Sequence, residues 1–254
     1  MDRAGYFQRE GMTATLNYIQ GNKISQRFED YAAENLAQLV LASALWPWEI
    51  LLGKGLFWHA ATIAFATLSV RRTRETQRLM HWCGACSQAY LTQAMLRAPV
   101  SVPPALLAKP ISLHVQKGEA RYEMTGAITA ARVIATLQSL GAEVYEASVE
   151  EDVSYGIDVL LLMNGFPPIA LQIKSDARAP HHVVRKVCSE DGDLCERMQR
   201  GCEKLQEETG VPWLPVICKV SSNIDLLRGV IGPVNSLASI FHTFLQQMRR
   251  NPSP

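Results

Sequence analysis

At 254 residues the chain has room for one large domain or two small ones, and its composition excludes a disordered or low-complexity polypeptide. A hydrophobic share of 48% against 19% charged residues makes it somewhat apolar, and a formal net charge of only +1 excludes a global basic field for nucleic acid, so any DNA-binding surface must be local. The cysteines at 83, 86, 188, 195, 202 and 218 do not space as a secreted disulfide framework, and residues 1–35 are polar and mixed in charge, so a cytoplasmic chain with reduced thiols is expected.

Residues 1–98 read as an all-helical N-terminal region. Helical character is weak over 1–35, with Phe28, Tyr31 and Leu36 on one face. From 36 to 70 the chain is strongly apolar, Glu49 and Lys54 being its only charged residues, and Gly53-Lys54-Gly55 predicts a turn in its middle. The two arms, 17 and 15 residues long, fall just short of the ~20 needed for a membrane span. Two readings stand. Trp46, Trp48 and Trp58 bracket the turn and Arg71, Arg72 and Arg74 follow the exit, which suits a membrane-associated hairpin tethering the chain to the inner face of a membrane. The other reading is a buried helical hairpin, packed on its neighbours or on another copy of the chain in a homo-oligomer. Residues 75–97 read as a further helix. It carries His81, Cys83 and Cys86, but a structural zinc site wants four ligands, so these cysteines read as small apolar packing residues. The proline-rich stretch 99–112 reads as a linker and domain boundary.

Beyond it, over 113–222, the pattern becomes regular. Residues 125–140 have helical spacing and stop at Gly141. Residues 142–147 alternate as a short strand, 157–163 form an apolar run of strand length, 164–168 make a turn, and 169–174 form a third strand. A helix over 194–208 closes at Gly210, and 211–220 read as a fourth strand. Cys188, Cys195 and Cys202 repeat every seven residues and, with Met198 and Leu205, predict a buried helix stripe. Within 223–254, an amphipathic helix over 235–250 puts Leu237, Ile240, Phe241, Phe244, Leu245 and Met248 on its apolar side. The class is α/β, with an α-β-β-β-α-β order.

Strand alternation puts Gln172 and Lys174 on one face at the end of the third strand. Asp158 lies near the start of the second, and pairing Met163 with Ile169 would set it opposite Lys174. Three polar groups entering an apolar sheet require partners, water or a metal. The set suits phosphodiester hydrolysis. A hard cation, Mg²⁺ or Mn²⁺, would take Asp158 with the Gln172 side-chain carbonyl or the Ile173 backbone carbonyl, and Lys174 would stabilise developing negative charge.

Gly156-Ile157-Asp158, thirteen intervening residues, then Gln172-Ile173-Lys174 resembles the GxD…(D/E/Q)xK signature of PD-(D/E)xK nucleases. The element order resembles the common core of that restriction-endonuclease-like superfamily. The resemblance implies a divalent-metal-dependent DNA endonuclease, with a catalytically inactive module that binds nucleic acid or protein as the alternative, and a membrane or assembly protein as a third class. Many relatives carry a metal-facing glutamate on the first helix. Residues 125–140 contain no acid, which leaves Glu123 as the first candidate and Glu119, Glu143 and Glu146 behind it. After the third strand, Arg178, His181, His182, Arg185 and Lys186 form a basic segment suited to DNA phosphate contacts, or to a solvated loop.

Overall fold

The computed structural model describes residues 34–35, 39, 46–68, 74–98, 120–148, 150–176, 181–221 and 234–250, with the side chains at 66–68, 74–76 and 120–125 left undescribed. The chain forms two compact units that meet in sequence within one helix, between Ile128 and Thr129. The 99–112 linker lies outside the described residues.

The first unit contains α1 (Trp48–Leu68) and α2 (Arg74–Arg97), which pack on each other. The turn expected at Gly53-Lys54-Gly55 is absent, and α1 runs through it for 21 residues. The reason is helix–helix contact. A Cβ placed on Gly55 would stand 2.7 Å from Leu91 Cδ2 and 3.1 Å from the Leu91 backbone nitrogen, so glycine lets α1 lie close against α2. Across the same contact Ser87 Oγ donates to the Gly55 carbonyl at 2.9 Å. Lys54 is not a turn residue either. Its ammonium donates to Asn35 Oδ1 at 3.3 Å and stands 4.5 Å from the centre of the Trp46 ring and 5.6 Å from that of Tyr90. Partial burial lowers its pKa, and the two aromatic faces supply the attraction that water would otherwise provide. Among the described residues, no helix is long and apolar enough to cross a membrane. Cys83 and Cys86 are fully buried free thiols on α2.

The helix α3 (Ala120–Ser139) spans the division between the units, and from Ala130 to Leu137 it buries Ala130, Ala131, Val133, Ile134 and Leu137. In the second unit follow β1 (Glu143–Glu146), a π-helical turn (Glu151–Tyr155), β2 (Val159–Leu162), β3 (Ile169–Asp176), β4 (Val183–Lys186), a 3₁₀ turn (Ser189–Asp191), α4 (Asp193–Thr209), β5 (Leu214–Ser221) and α5 (Asn235–Arg250). The expected helix, three strands, helix and strand are all present. One strand was not foreseen: β4 lies within the basic segment and pairs antiparallel with β5 at the sheet edge. The strand order is β1-β2-β3-β5-β4, antiparallel except for the parallel β3–β5 pair. That pair needs a long crossover, which α4 supplies.

The hairpin register differs from the expected one by two residues. Ile169 pairs with Leu161, not Met163, so the same ladder extended sets Asp158 across from Gln172 rather than Lys174. Prolines 167 and 168 explain the shift, since neither offers an N–H and the Pro168 carbonyl already accepts from Leu214 N at 2.9 Å. A slip of two keeps every side chain on its face. Leu160 and Ala170 therefore share a face with Asp158, Gln172 and Lys174, and both pack with Met198, Cys202 and Leu205 of α4. Cys195, Met198, Cys202 and Leu205 form the buried stripe of α4, whereas Cys188 precedes the helix and is only half-buried. On α5 the buried residues are Leu237, Phe241, Phe244 and Leu245.

Because Gly55 sits where a side chain would strike Leu91 and its backbone, Gly55→Val should destabilise the fold by about 1–3 kcal/mol through overpacking, as read by urea denaturation. An unchanged unfolding midpoint would show that α1 and α2 separate freely.

Candidate functional site

Gly156 adopts φ +68°, the left-handed region, and caps the π-helical turn with its N–H donating to the Asp152 carbonyl at 2.9 Å. A side chain is excluded there twice over. A Cβ would meet Leu194 Cδ1 at 2.8 Å, Gln172 Oε1 at 3.0 Å and Arg197 Nη2 at 3.1 Å. This glycine therefore turns the chain into β2 and lets α4 and the Gln172 carboxamide close over the same point.

Asp158 follows two residues later. Its Oδ2 accepts hydrogen bonds from the Gln172 side-chain Nε2 and from the Ile173 backbone N–H. Gln172 is only 2% exposed, so its carboxamide is committed to the interior and orients Asp158. Lys174, two residues on, is exposed at the open end of β3, and its charge acts on Asp158. The three residues singled out in the sequence do gather. Ile173, however, reaches Asp158 through its N–H, where a carbonyl metal ligand was expected.

A fourth group joins them that the sequence reading missed. Asp152, on the π-helical turn, hydrogen-bonds the Asp158 carboxyl. Part of each residue reaches the surface, but both carboxyl groups are enclosed by protein. Burial pushes the Asp152 pKa from its ordinary 3.8 up to about 8, the neighbouring Asp158 charge pushes the same way, and Lys174 and Arg197 oppose it. Burial also raises Asp158, while Lys174, the Ile173 N–H and Gln172 pull it back down. Asp152 accordingly holds the proton that the pair shares, and Asp158 accepts it. The only trace in the sequence was the acidic run Glu150-Glu151-Asp152 ahead of Gly156, and its relevance depends on a π-helical turn that no simple periodicity reports. Arg197, on α4, was also missed.

The other acids stand differently. Glu143 is at the far end of β1, opposite Leu162, where it accepts from the Tyr145 hydroxyl at 3.0 Å. Glu146, on β1, pairs with Val159 of β2, the residue that follows Asp158. The Glu123 side chain and Glu119 lie outside the described residues. The basic segment is largely used by the fold. His182 is buried, its Nδ1 accepts from Ser221 N at 3.1 Å, and burial lowers its pKa. Arg185 donates to both carboxylate oxygens of Asp191 at 2.7 and 2.6 Å, and those bonds hold the Asp191 pKa down to about 2. Lys186 is half-buried on β4, His181 is exposed, and Arg178 lies outside the described residues. Burial pushes the Cys202 thiol up to about 12 and raises Cys218 further, so neither is a thiolate nucleophile.

Among the described residues, no group of three or more His, Cys, Asp or Glu is placed to hold a metal ion. The oxygen donors that meet are instead the two carboxyls of Asp152 and Asp158, since the Gln172 carboxamide turns its Nε2, not the carbonyl expected as a metal ligand, toward Asp158. That set fits a hard cation such as Mg²⁺, which binds through one or two carboxylates and keeps several of its waters. Comparison with protein-family models, with curated proteins and with solved structures finds no match for the chain.

Asp152 is protonated in the folded state up to about pH 8 but ionises near 3.8 when unfolded, so the folded chain binds the extra proton between these values. Stability without divalent cations should therefore fall as pH rises through that window. Asp152→Asn, which mimics the protonated form, should flatten the fall and raise the melting temperature at pH 8.5. Parallel melting curves for the two proteins from pH 5 to 9 would refute the buried, shared proton.

Proposed function

We propose that this chain is a divalent-metal-dependent DNA endonuclease of the restriction-endonuclease-like fold. The observation that carries the reading is the enclosed pair Asp152–Asp158, held by Gln172 and the Ile173 N–H, with the Lys174 charge acting on both carboxyls. The element order supports it too: one helix, three strands, a crossover helix and a parallel strand, with β4 as an addition at the edge.

In this reading Asp152 takes the place of the helix glutamate that the sequence lacks. Two carboxyls that share a proton when metal-free would offer two anionic oxygen ligands to a divalent cation that displaced that proton. Mg²⁺ or Mn²⁺ would be held by Asp152 and Asp158, and when bound it supplies positive charge that polarises the phosphate and acidifies nearby water. Gln172 and the Ile173 N–H fix the Asp158 carboxylate, so its orientation is set before substrate arrives. Lys174, exposed at the mouth of the site, stabilises the negative charge that develops on the phosphate. With His182 and Arg185 engaged inside the fold, DNA phosphates would be met by exposed groups, Lys174 on β3 and His181 ahead of β4 among them.

One observation favours a second reading, a nuclease-fold module that binds nucleic acid or protein without cutting. Asp158 already has three hydrogen-bond partners within the chain, so the metal-free arrangement is self-sufficient.

Purified full-length chain should cleave DNA with Mg²⁺ or Mn²⁺ and stop when EDTA is added. Asp158→Ala and Lys174→Ala should each lower the rate by at least ~100-fold, the scale of a lost electrostatic stabiliser, without loss of fold. DNA that is bound in a mobility-shift assay but never cut, under any divalent cation, would favour the binding module. Cleavage that survives both substitutions would place the chemistry elsewhere.

A further inference from the structure

The Asp152-bearing turn is an uncommon one. A π-helical turn is rare and short, and here the Ile157 N–H reaches back to the Glu151 carbonyl at 3.0 Å. What holds it lies outside it. Positions 197, 201 and 204 are spaced i, i+4 and i+7 along one face of α4. Arg197 Nη1 donates to the Val153 carbonyl at 3.3 Å, and Arg197 Nε stands 3.4 Å from Asp193 Oδ2. Gly201 leaves no gap: a Cβ there would stand 2.7 Å from Tyr155 Cβ and 2.8 Å from Ile157 Cδ1. Lys204 Nζ donates to Glu150 Oε1 at 3.0 Å and sits 5.6 Å from the centre of the Tyr155 ring. These contacts take hold of residues 150, 153, 155 and 157, on both sides of Asp152.

We propose that Arg197 is a positioning residue, which fixes the Asp152 turn against Asp158 through the Val153 carbonyl and so makes the two carboxylates a ready cation site. The proposal rests on reading that pair as the metal site. Arg197 touches neither metal nor substrate in this role; it acts through the turn.

The sign of one measurement separates positioning from simple charge. A guanidinium near a cation site repels the cation, so charge alone predicts that removing Arg197 tightens metal binding. Positioning predicts the reverse. Mn²⁺ titration of the full-length chain by calorimetry should show Arg197→Ala weakened about tenfold, the scale on which groups orienting a ligand act. Arg197→Lys keeps the charge without the planar fork and should be weakened by less, and it serves as the reading should Arg197→Ala fail to fold. Gly201→Ala alters no charge but presses on Tyr155, and should weaken Mn²⁺ binding in the same direction. Mn²⁺ binding that is unchanged or tighter in the folded Arg197 variants, while Asp158→Ala abolishes it, overturns the role of Arg197 alone. No Mn²⁺ binding by the unaltered chain overturns the metal site and this proposal together.

Discussion

Two carboxyl groups enclosed side by side cannot both be charged without a cation between them. In this chain that constraint falls on Asp152 and Asp158, and the groups around them answer it in different ways. A shared proton removes one of the charges. The Gln172 amide and the Ile173 N–H solvate the other. Lys174 and Arg197 contribute opposite charge from the mouth of the site and from α4. None of these groups would be needed if the acids faced water, and all of them become intelligible once the acids are enclosed. The enclosure itself comes from α4, which covers the sheet face bearing Leu160 and Ala170.

How much of this was legible follows from which features are local. Strand alternation has a period of two, so the shared face of Asp158, Gln172 and Lys174 could be read directly, and it survived a register two residues away from the expected one. The register itself depended on Pro167 and Pro168, and on a carbonyl bond to β5 that no local pattern reveals. Asp152 was invisible for a related reason. Its place beside Asp158 comes from a π-helical turn gripped by a helix some forty residues further on. The basic segment read as a contact surface because charge is visible in a sequence and ion pairing is not; the Arg185 partner, Asp191, lay in plain sight, but β4 had to form before the two could meet.

The first unit teaches the same lesson about glycine and lysine. Gly-Lys-Gly in an apolar run is a fair turn signal when only local geometry is weighed. In α1 the glycine is spent on proximity to Leu91, and the lysine is accommodated by Asn35, Trp46 and Tyr90. A charge that looked like a break in the segment is part of its packing.

The parallel pairing of β3 with β5 also has a consequence for how the chain acquires its site during synthesis. Lys174 pairs with Lys219 across the crossover, and α4, the cover over the acids, occupies positions 193–209. A growing chain that has passed Gln172 but not yet Thr209 holds both aspartates with nothing to enclose them, and in water they are ordinary, fully ionised acids. Their unusual chemistry is acquired only when the crossover docks, a non-local step that must await residues far downstream. A ribosome-bound intermediate would therefore carry both aspartates without the proton they share in the folded chain, and that proton would be taken up only with the closing of the sheet.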